Sequence, residues 1–76
     1  MAKAKISNQI RRLRFEHNEM TQQELAERAG CTRQTVIVLG KERYVPSLAL
    51  AFKIARTFGV TVEEVFQLED NSGGNP

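Results

Sequence analysis

Arg33 and Gln34 stand side by side in Thr32-Arg33-Gln34-Thr35, directly behind a residue suited to start a helix. A guanidinium can pair bidentately with guanine and a carboxamide with adenine, each good pair discriminating against the wrong base by about 1–3 kcal/mol. No other chemistry is as well furnished in this chain. There is no nucleophile–base pairing, no metal-ligand spacing and no glycine-rich phosphate loop followed by a helix. His17 is the only histidine and has no ligand partner. With 76 residues there is little room for a substrate pocket beside such a reading edge. The expectation is a binding protein with no cofactor and no enzyme activity.

The elements that must position this pair are written around it. Thr21 and Glu24 form a capping box at the head of one helix. Leu25, Ala26 and Ala29 then face inward, and the two alanines let another helix approach closely. Gly30 ends that helix, and Thr32 caps the next. Two short helices joined by a tight turn, the second opening with polar side chains, make the order of parts of a helix-turn-helix. Residues 36–39, Val-Ile-Val-Leu, taken alone read as a strand. The cap before them and the glycine after them favour a two-turn helix held by packing.

On the N-terminal side, Ile6, Ile10 and Leu13 mark one face of a helix, with Arg11, Arg12 and Arg14 mostly on its other faces. Asn18 ends it, and Met20 packs as a staple before the Thr21 cap. On the C-terminal side, Val45-Pro46-Ser47 is a connector and Ser47 caps a helix. Its apolar stripe is Leu48, Ala51, Ala55 and Phe58, widened by Leu50 and Ile54, and Gly59 stops it. Thr61 and Glu64 form a second capping box, before a short apolar face of Val62, Val65 and Phe66. Five short helices and no convincing strand predict a compact all-α bundle over residues 1–68, with 69–76 as a disordered tail.

Composition bounds the class. Hydrophobic residues make up 41%, enough for a globular fold. No run of eighteen apolar residues is present, so no membrane partner is expected. No apolar signal core follows Met1-Ala2-Lys3-Ala4-Lys5, and the single cysteine cannot form an internal disulfide; both point to the reducing cytoplasm. The net charge of +2 hides an asymmetry: residues 1–45 carry nine basic and five acidic side chains, residues 46–76 two and four. A basic first half fits a polyanion, although charge alone favours a merely solvated surface.

From about Ile6 to Phe66 the chain resembles the lambda repressor/Cro-like helix-turn-helix regulators, the Xre family. The resemblance is carried by Ile10-Arg11-Arg12-Leu13-Arg14, Thr21-Gln22-Gln23-Glu24-Leu25-Ala26, Gly30-Cys31-Thr32-Arg33-Gln34-Thr35, and the stretch from Tyr44-Val45-Pro46-Ser47-Leu48 to Ile54-Ala55. It implies a five-helix domain that binds a double-stranded DNA operator as a homodimer, with a recognition helix near residues 32–40 in the major groove. By position, Arg33, Gln34 and Val38 would face base edges, with Thr35 and Ile37 beside them. Gln22 and Thr32 would touch phosphates, and Lys41, Arg43 and Tyr44 would hold backbone phosphates after the helix. Val62, Phe66 and Leu68 are the candidates for a dimer interface.

The chain also departs from that pattern. The family usually has Glu near position 40 and Gly near 42; here they are Gly40 and Glu42. The missing Glu would be the partner of Arg14. Either Glu42 takes a positive φ, costing about 1 kcal/mol, or Gly40 ends the helix two residues early. The second reading puts glycine where one is needed and is preferred. Val36 and Leu39 are the core positions, so Ile37 or Val38 should be exposed, there to meet thymine methyl groups or to pack against the next helix.

Other positions keep two readings. Arg33 suits a base or a phosphate equally, and Arg11 and Arg12 read first as a solvated face. Tyr44 both reaches a phosphate and packs beside Pro46. Cys31 reads as buried and inert, His17 as a surface residue, and Phe52 and Phe66 as core or dimer contacts. The leading function is a sequence-specific, repressor-like transcriptional regulator, controlled by concentration, dimerisation or a partner. The apolar 36–39 run and the Gly40/Glu42 exchange motivate the alternative: a protein-interaction module on the same fold, either an antitoxin or a domain that has lost DNA binding.

Overall fold

The structure, a computed structural model, describes residues 4–70. In chain order it contains β1 (Ala4–Asn8), α1 (Ile10–Glu16), α2 (Gln22–Ala29), α3 (Arg33–Gly40), α4 (Leu48–Phe58), α5 (Val62–Val65) and β2 (Phe66–Asp70). Five helices are present as expected, but the fold is not all-α. The two strands pair antiparallel, Ile6 opposite Leu68 and Asn8 opposite Phe66, so the two ends of the described chain close on each other. Ile6 therefore belongs to a strand and not to the first helix. Glu69 and Asp70, expected in the tail, lie in β2; the rest of that tail, 71–76, lies outside the described residues.

Most helix boundaries follow from local chemistry. Thr21 and Thr61 each form a full capping box, with Glu24 and Glu64 respectively, and Thr32 and Ser47 accept from the backbone N–H three residues on. Gly30 and Gly59 end α2 and α4 in the left-handed region, at φ 73° and 70°, where an L side chain would be strained. Asn18 takes φ 60° just beyond α1, as read from its type. The head of α1 is set differently. The Ile10 N–H donates to Asn8 Oδ1 at 3.1 Å, and the Gln9 N–H to the Val65 carbonyl at 2.8 Å, so the strand pairing places the start of the helix.

The core is built from Ile10, Leu13, Met20, Leu25, Ala26, Ala29, Val36, Leu39, Ile54, Ala55, Phe58 and Val65, all buried, with Leu50, Val62 and Phe66 packed half-buried against it. Ala26 and Ala29 are 1% exposed, which lets the helices beside α2 come close. Several apolar residues escape, two of them on α4. Leu48, read as the first residue of the buried stripe of α4, is 71% exposed, and Phe52 is 51% exposed. His17, read as a surface residue, is half-buried. Its Nδ1 lies 2.8 Å from the Leu13 carbonyl and its Nε2 3.0 Å from the Phe58 carbonyl, tying the ends of α1 and α4 together beside the Phe58 ring.

The two exchanged residues resolve against the preferred reading. Helix α3 runs through Gly40 with Lys41 as its cap, and Glu42 adopts φ 58°. The strained backbone is held by the Glu42 carboxylate. Its Oε2 accepts the Asn8 N–H at 3.0 Å, and its Oε1 lies 3.6 Å from Lys5 Nζ. Asn8 Nδ2 also donates to the Leu39 carbonyl at 2.7 Å, so β1 is bonded to the last turn of α3. Glu42→Ala keeps the strain and loses both contacts, and should destabilise the fold by about 1–2 kcal/mol in denaturant titrations. Glu42→Gly loses the contacts but relieves the backbone, and should fall between wild type and Glu42→Ala.

Candidate nucleic-acid interface

The candidate reading edge is the outer side of α3. Thr32 Oγ1 accepts the Thr35 N–H at 3.1 Å and lies 2.9 Å from Thr35 Oγ1, so both hydroxyls serve the head of the helix. Arg33 and Gln34, the next two residues, are exposed and free to turn outward. Thr35 is half-buried. Val36 and Leu39 point into the core at 2% and 0% exposure. Ile37 and Val38 are both half-buried, so neither is the fully exposed residue expected there. Four positions apart, Gln34 and Val38 share one face of α3, and Arg33 and Ile37 share the neighbouring one.

That neighbouring face opens on a cleft of about 820 Å³ between α1, the start of α2 and α3. Its wall includes Arg11, Arg14, Gln22, Arg33, Gly40 and Lys41, with Glu19 as the sole carboxylate among the lining residues. Four cations around one depression make it an anion-attracting surface. The structure thus brings Gln22, Arg33, Ile37 and Lys41 together. Arg43 and Tyr44 are exposed in the loop between α3 and α4 and do not line the cleft. Arg14, for which the sequence suggested only a missing partner, is the addition. A basic residue one helical turn after Ile10, on a helix whose apolar face was already legible, was the signal available for it.

The turn between α2 and α3 lies between left-handed Gly30, which ends α2, and Thr32, which caps α3, while a capping box closes the far end of α2. The Thr21 N–H donates to Glu24 Oε1 at 2.8 Å, and this backbone hydrogen bond is the main cause holding the Glu24 carboxyl below the usual carboxylate range. Cys31 sits half-buried in the turn; burial pushes its thiol up, against a smaller opposing pull from Lys53. A thiol kept neutral in this way is a poor nucleophile. Among the described residues no group of three or more His, Cys, Asp or Glu side chains is placed to hold a metal ion, and no helix is long and apolar enough to cross a membrane.

Residues 10–65, from the first core residue of α1 to the last of α5, match the helix-turn-helix family. The chain belongs to the lambda repressor/Cro-like helix-turn-helix family. It is 47% identical over 66 residues to an HTH-type transcriptional regulator of Methanocaldococcus jannaschii, covering 87% of this chain and 98% of the relative. It is 50% identical to one from Methanothermobacter thermautotrophicus, covering 82% and 96%, and 42% identical to the Bacillus subtilis regulator YgzD, covering 88% and 100%. In this helix-turn-helix protein α2 and α3 are the two helices of the motif, and its membership makes it a DNA-binding transcriptional regulator.

The Glu24 box makes the stability of the motif depend on pH. A carboxyl whose folded value lies below its unfolded one contributes stability that is present above the unfolded value and lost as pH falls through the folded one. Wild type should therefore melt above Glu24→Gln at neutral pH, and the gap should close as the solution is acidified below the ordinary glutamate range. A gap that persists at low pH would place the contribution elsewhere than in the carboxylate.

Proposed function

We propose that the protein is a repressor-like regulator that binds a double-stranded operator sequence-specifically as a homodimer, with α3 lying in the major groove. The observation that carries this reading is the placement of Arg33 and Gln34 on the exposed head of α3, beside a cationic cleft that also contains Lys41. A helix held this way presents base-pairing side chains while cations beside it take the backbone. Gln34 reads a base. Arg33 lies on the boundary between base and backbone. Val38, on the face shared with Gln34, offers an apolar surface to a thymine methyl, and Thr35 and Ile37 contribute from the same helix. Gln22, Thr32, Lys41, Arg43 and Tyr44 hold phosphates. Repression by occupancy needs nothing beyond this face.

The dimer surface we favour lies on α4 and α5. Leu48 and Phe52 are one turn apart on α4, and Phe52 borders a groove of about 500 Å³ with Arg56, Val60, Val62 and Glu63. A two-fold contact uses the same patch on both copies, and a patch carrying one arginine and one glutamate beside apolar residues complements itself. Of the earlier candidates Val62 belongs to this groove. Phe66 is half-buried against the core, and Leu68 is 66% exposed on β2.

Gln34→Ala should weaken operator binding by about 1–3 kcal/mol and relax preference at one base pair. Lys41→Ala should weaken all duplexes alike and lower the salt slope by about one. Selection from a random duplex pool followed by titration of both variants checks this; unchanged affinity and preference in Gln34→Ala would remove its assigned role. Phe52→Glu should shift sedimentation from dimer to monomer and reduce operator affinity. A wild type that sediments strictly as a monomer at high concentration and on DNA would overturn the dimer.

A further inference from the structure

Phe15 is an aromatic side chain that neither the core nor α3 uses. It stands on the outer face of α1 and is 69% exposed, while Ile10 and Leu13 on the opposite face are buried. Arg11 and Arg12 lie four and three positions before it, so the three side chains are neighbours on that outer face. With Arg14, Glu19 and Met20 they line a groove of about 520 Å³ between α1 and the loop that leads to α2. The loop wall is fixed to the helix. The Met20 N–H donates to the Arg14 carbonyl at 2.8 Å, and Arg14 Nη1 donates to the Met20 carbonyl at 2.9 Å.

The groove offers two chemistries at once. Its phenyl ring is removed from water only by another apolar group, and its three guanidinium groups attract anions. Glu19 is the sole carboxylate among the lining residues. Arg12 lies 3.8 Å from Glu16, but both side chains are more than half exposed, and such a pair contributes little. Neither Arg11 nor Arg14 belongs to an ion pair among the described residues, and Arg14 Nε is buried with no hydrogen-bond partner.

A duplex lying along α3 does not meet both demands. Its backbone presents phosphates and sugars, and its base faces are stacked inside, so the ring stays uncovered. A second copy of this chain, meeting the groove with its own, would set the same three arginines against these. One ring on a seven-residue helix is a small anchor for a lipid surface.

We propose that the groove is a docking site for an acidic peptide segment of a partner protein, which places an aliphatic or aromatic side chain on Phe15 and carboxylates against Arg11 and Arg12. Guanidinium groups take carboxylates bidentately, and aromatic residues and arginines are the types that most often anchor protein interfaces. The position of the groove gives the contact a consequence. Arg11, Arg14, Glu19 and Met20 line both this groove and the cationic cleft beside α3. A peptide seated on Phe15 draws on those cations and adds negative charge beside them, so partner and duplex weaken each other's binding. The docking site stands on the groove itself; the antagonism rests on the reading of the chain as a DNA-binding regulator.

The experiment selects peptides from a random displayed library on the wild-type protein, with Phe15→Ser as the counter-selection target, and titrates the consensus peptide. The consensus should carry carboxylates flanking an apolar residue. Phe15→Ser should weaken it about tenfold and Arg12→Gln about threefold, while Phe15→Leu, which keeps an apolar anchor, should retain most of the affinity. Added salt should weaken the peptide further. Neither Arg12 nor Phe15 lines the cleft beside α3, so Phe15→Ser and Arg12→Gln should bind a duplex as wild type does. Saturating peptide should lower duplex affinity of wild type about fivefold and leave that of Phe15→Ser unchanged.

A library that yields no Phe15-dependent binder, or a consensus without carboxylates, would overturn the docking site. Three other results would also overturn it by naming another occupant: Phe15-dependent binding of single-stranded DNA, Phe15-dependent binding of phosphatidylglycerol vesicles, or loss of self-association in Phe15→Ser. Peptide binding that leaves duplex affinity untouched would remove the antagonism. Wild type that binds the peptide but no duplex at low salt would overturn the DNA-binding reading and uphold the docking site.

Discussion

Helix α3 cannot hold its own shape, and the rest of the molecule is arranged around that constraint. Eight residues long and carrying four β-branched residues in a row, it is too short and too poor in helix formers to persist alone in water. It exists because Val36 and Leu39 are buried against α2 and the core, and because both ends are tied. Thr32 caps the head. At the tail, Asn8 takes the Leu39 carbonyl, and the left-handed backbone at Glu42 turns a carboxylate back onto β1. The direction in which Arg33 and Gln34 point is thus set partly by a strand at the opposite end of the chain.

Charge is distributed unevenly around α3. Glu24 and Glu64 are used in capping boxes, and Glu42 is turned towards Lys5. The cleft beside α3 is left with four cations and one carboxylate. Like charges gathered on one surface repel, so such a surface is less stable by itself than a neutralised one. Glu42 is strained just beyond α3, and Arg14, with an unsatisfied atom, lines the cleft beside that helix; such departures from local rules are expected where a site is functional.

Much of this was legible from residue types. Thr21 with Glu24, Thr32, Ser47, and Thr61 with Glu64 all cap the helices they were read as starting, and Gly30 and Gly59 stop the helices they were read as ending. Most inward faces were read correctly too, Val36 with Leu39 and Ala26 with Ala29 among them, but a few positions were not. Leu48 and Phe52 have the same apolar chemistry as Ile54 and Phe58, yet only the latter two find a partner surface. Ile6 fits a helical spacing with Ile10 and Leu13, but spacing does not reveal that residues 66–70 return to pair with it. His17 carried no mark of its tie to Phe58.

The division has a physical basis. Caps, boxes and left-handed glycines act through hydrogen bonds within about five residues, so the sequence by itself determined the helix-turn-helix and its start and stop signals. The strand pair, the fate of Glu42 and the state of Arg14 were decided only in three dimensions. The contacts responsible join Asn8 to Leu39 and Glu42, 31 and 34 residues away, and Gln9 to Gln67, 58 residues away. Whether Gly40 or Glu42 takes the strained position depends on what waits to bond the carboxylate, and that partner comes from the other end of the fold.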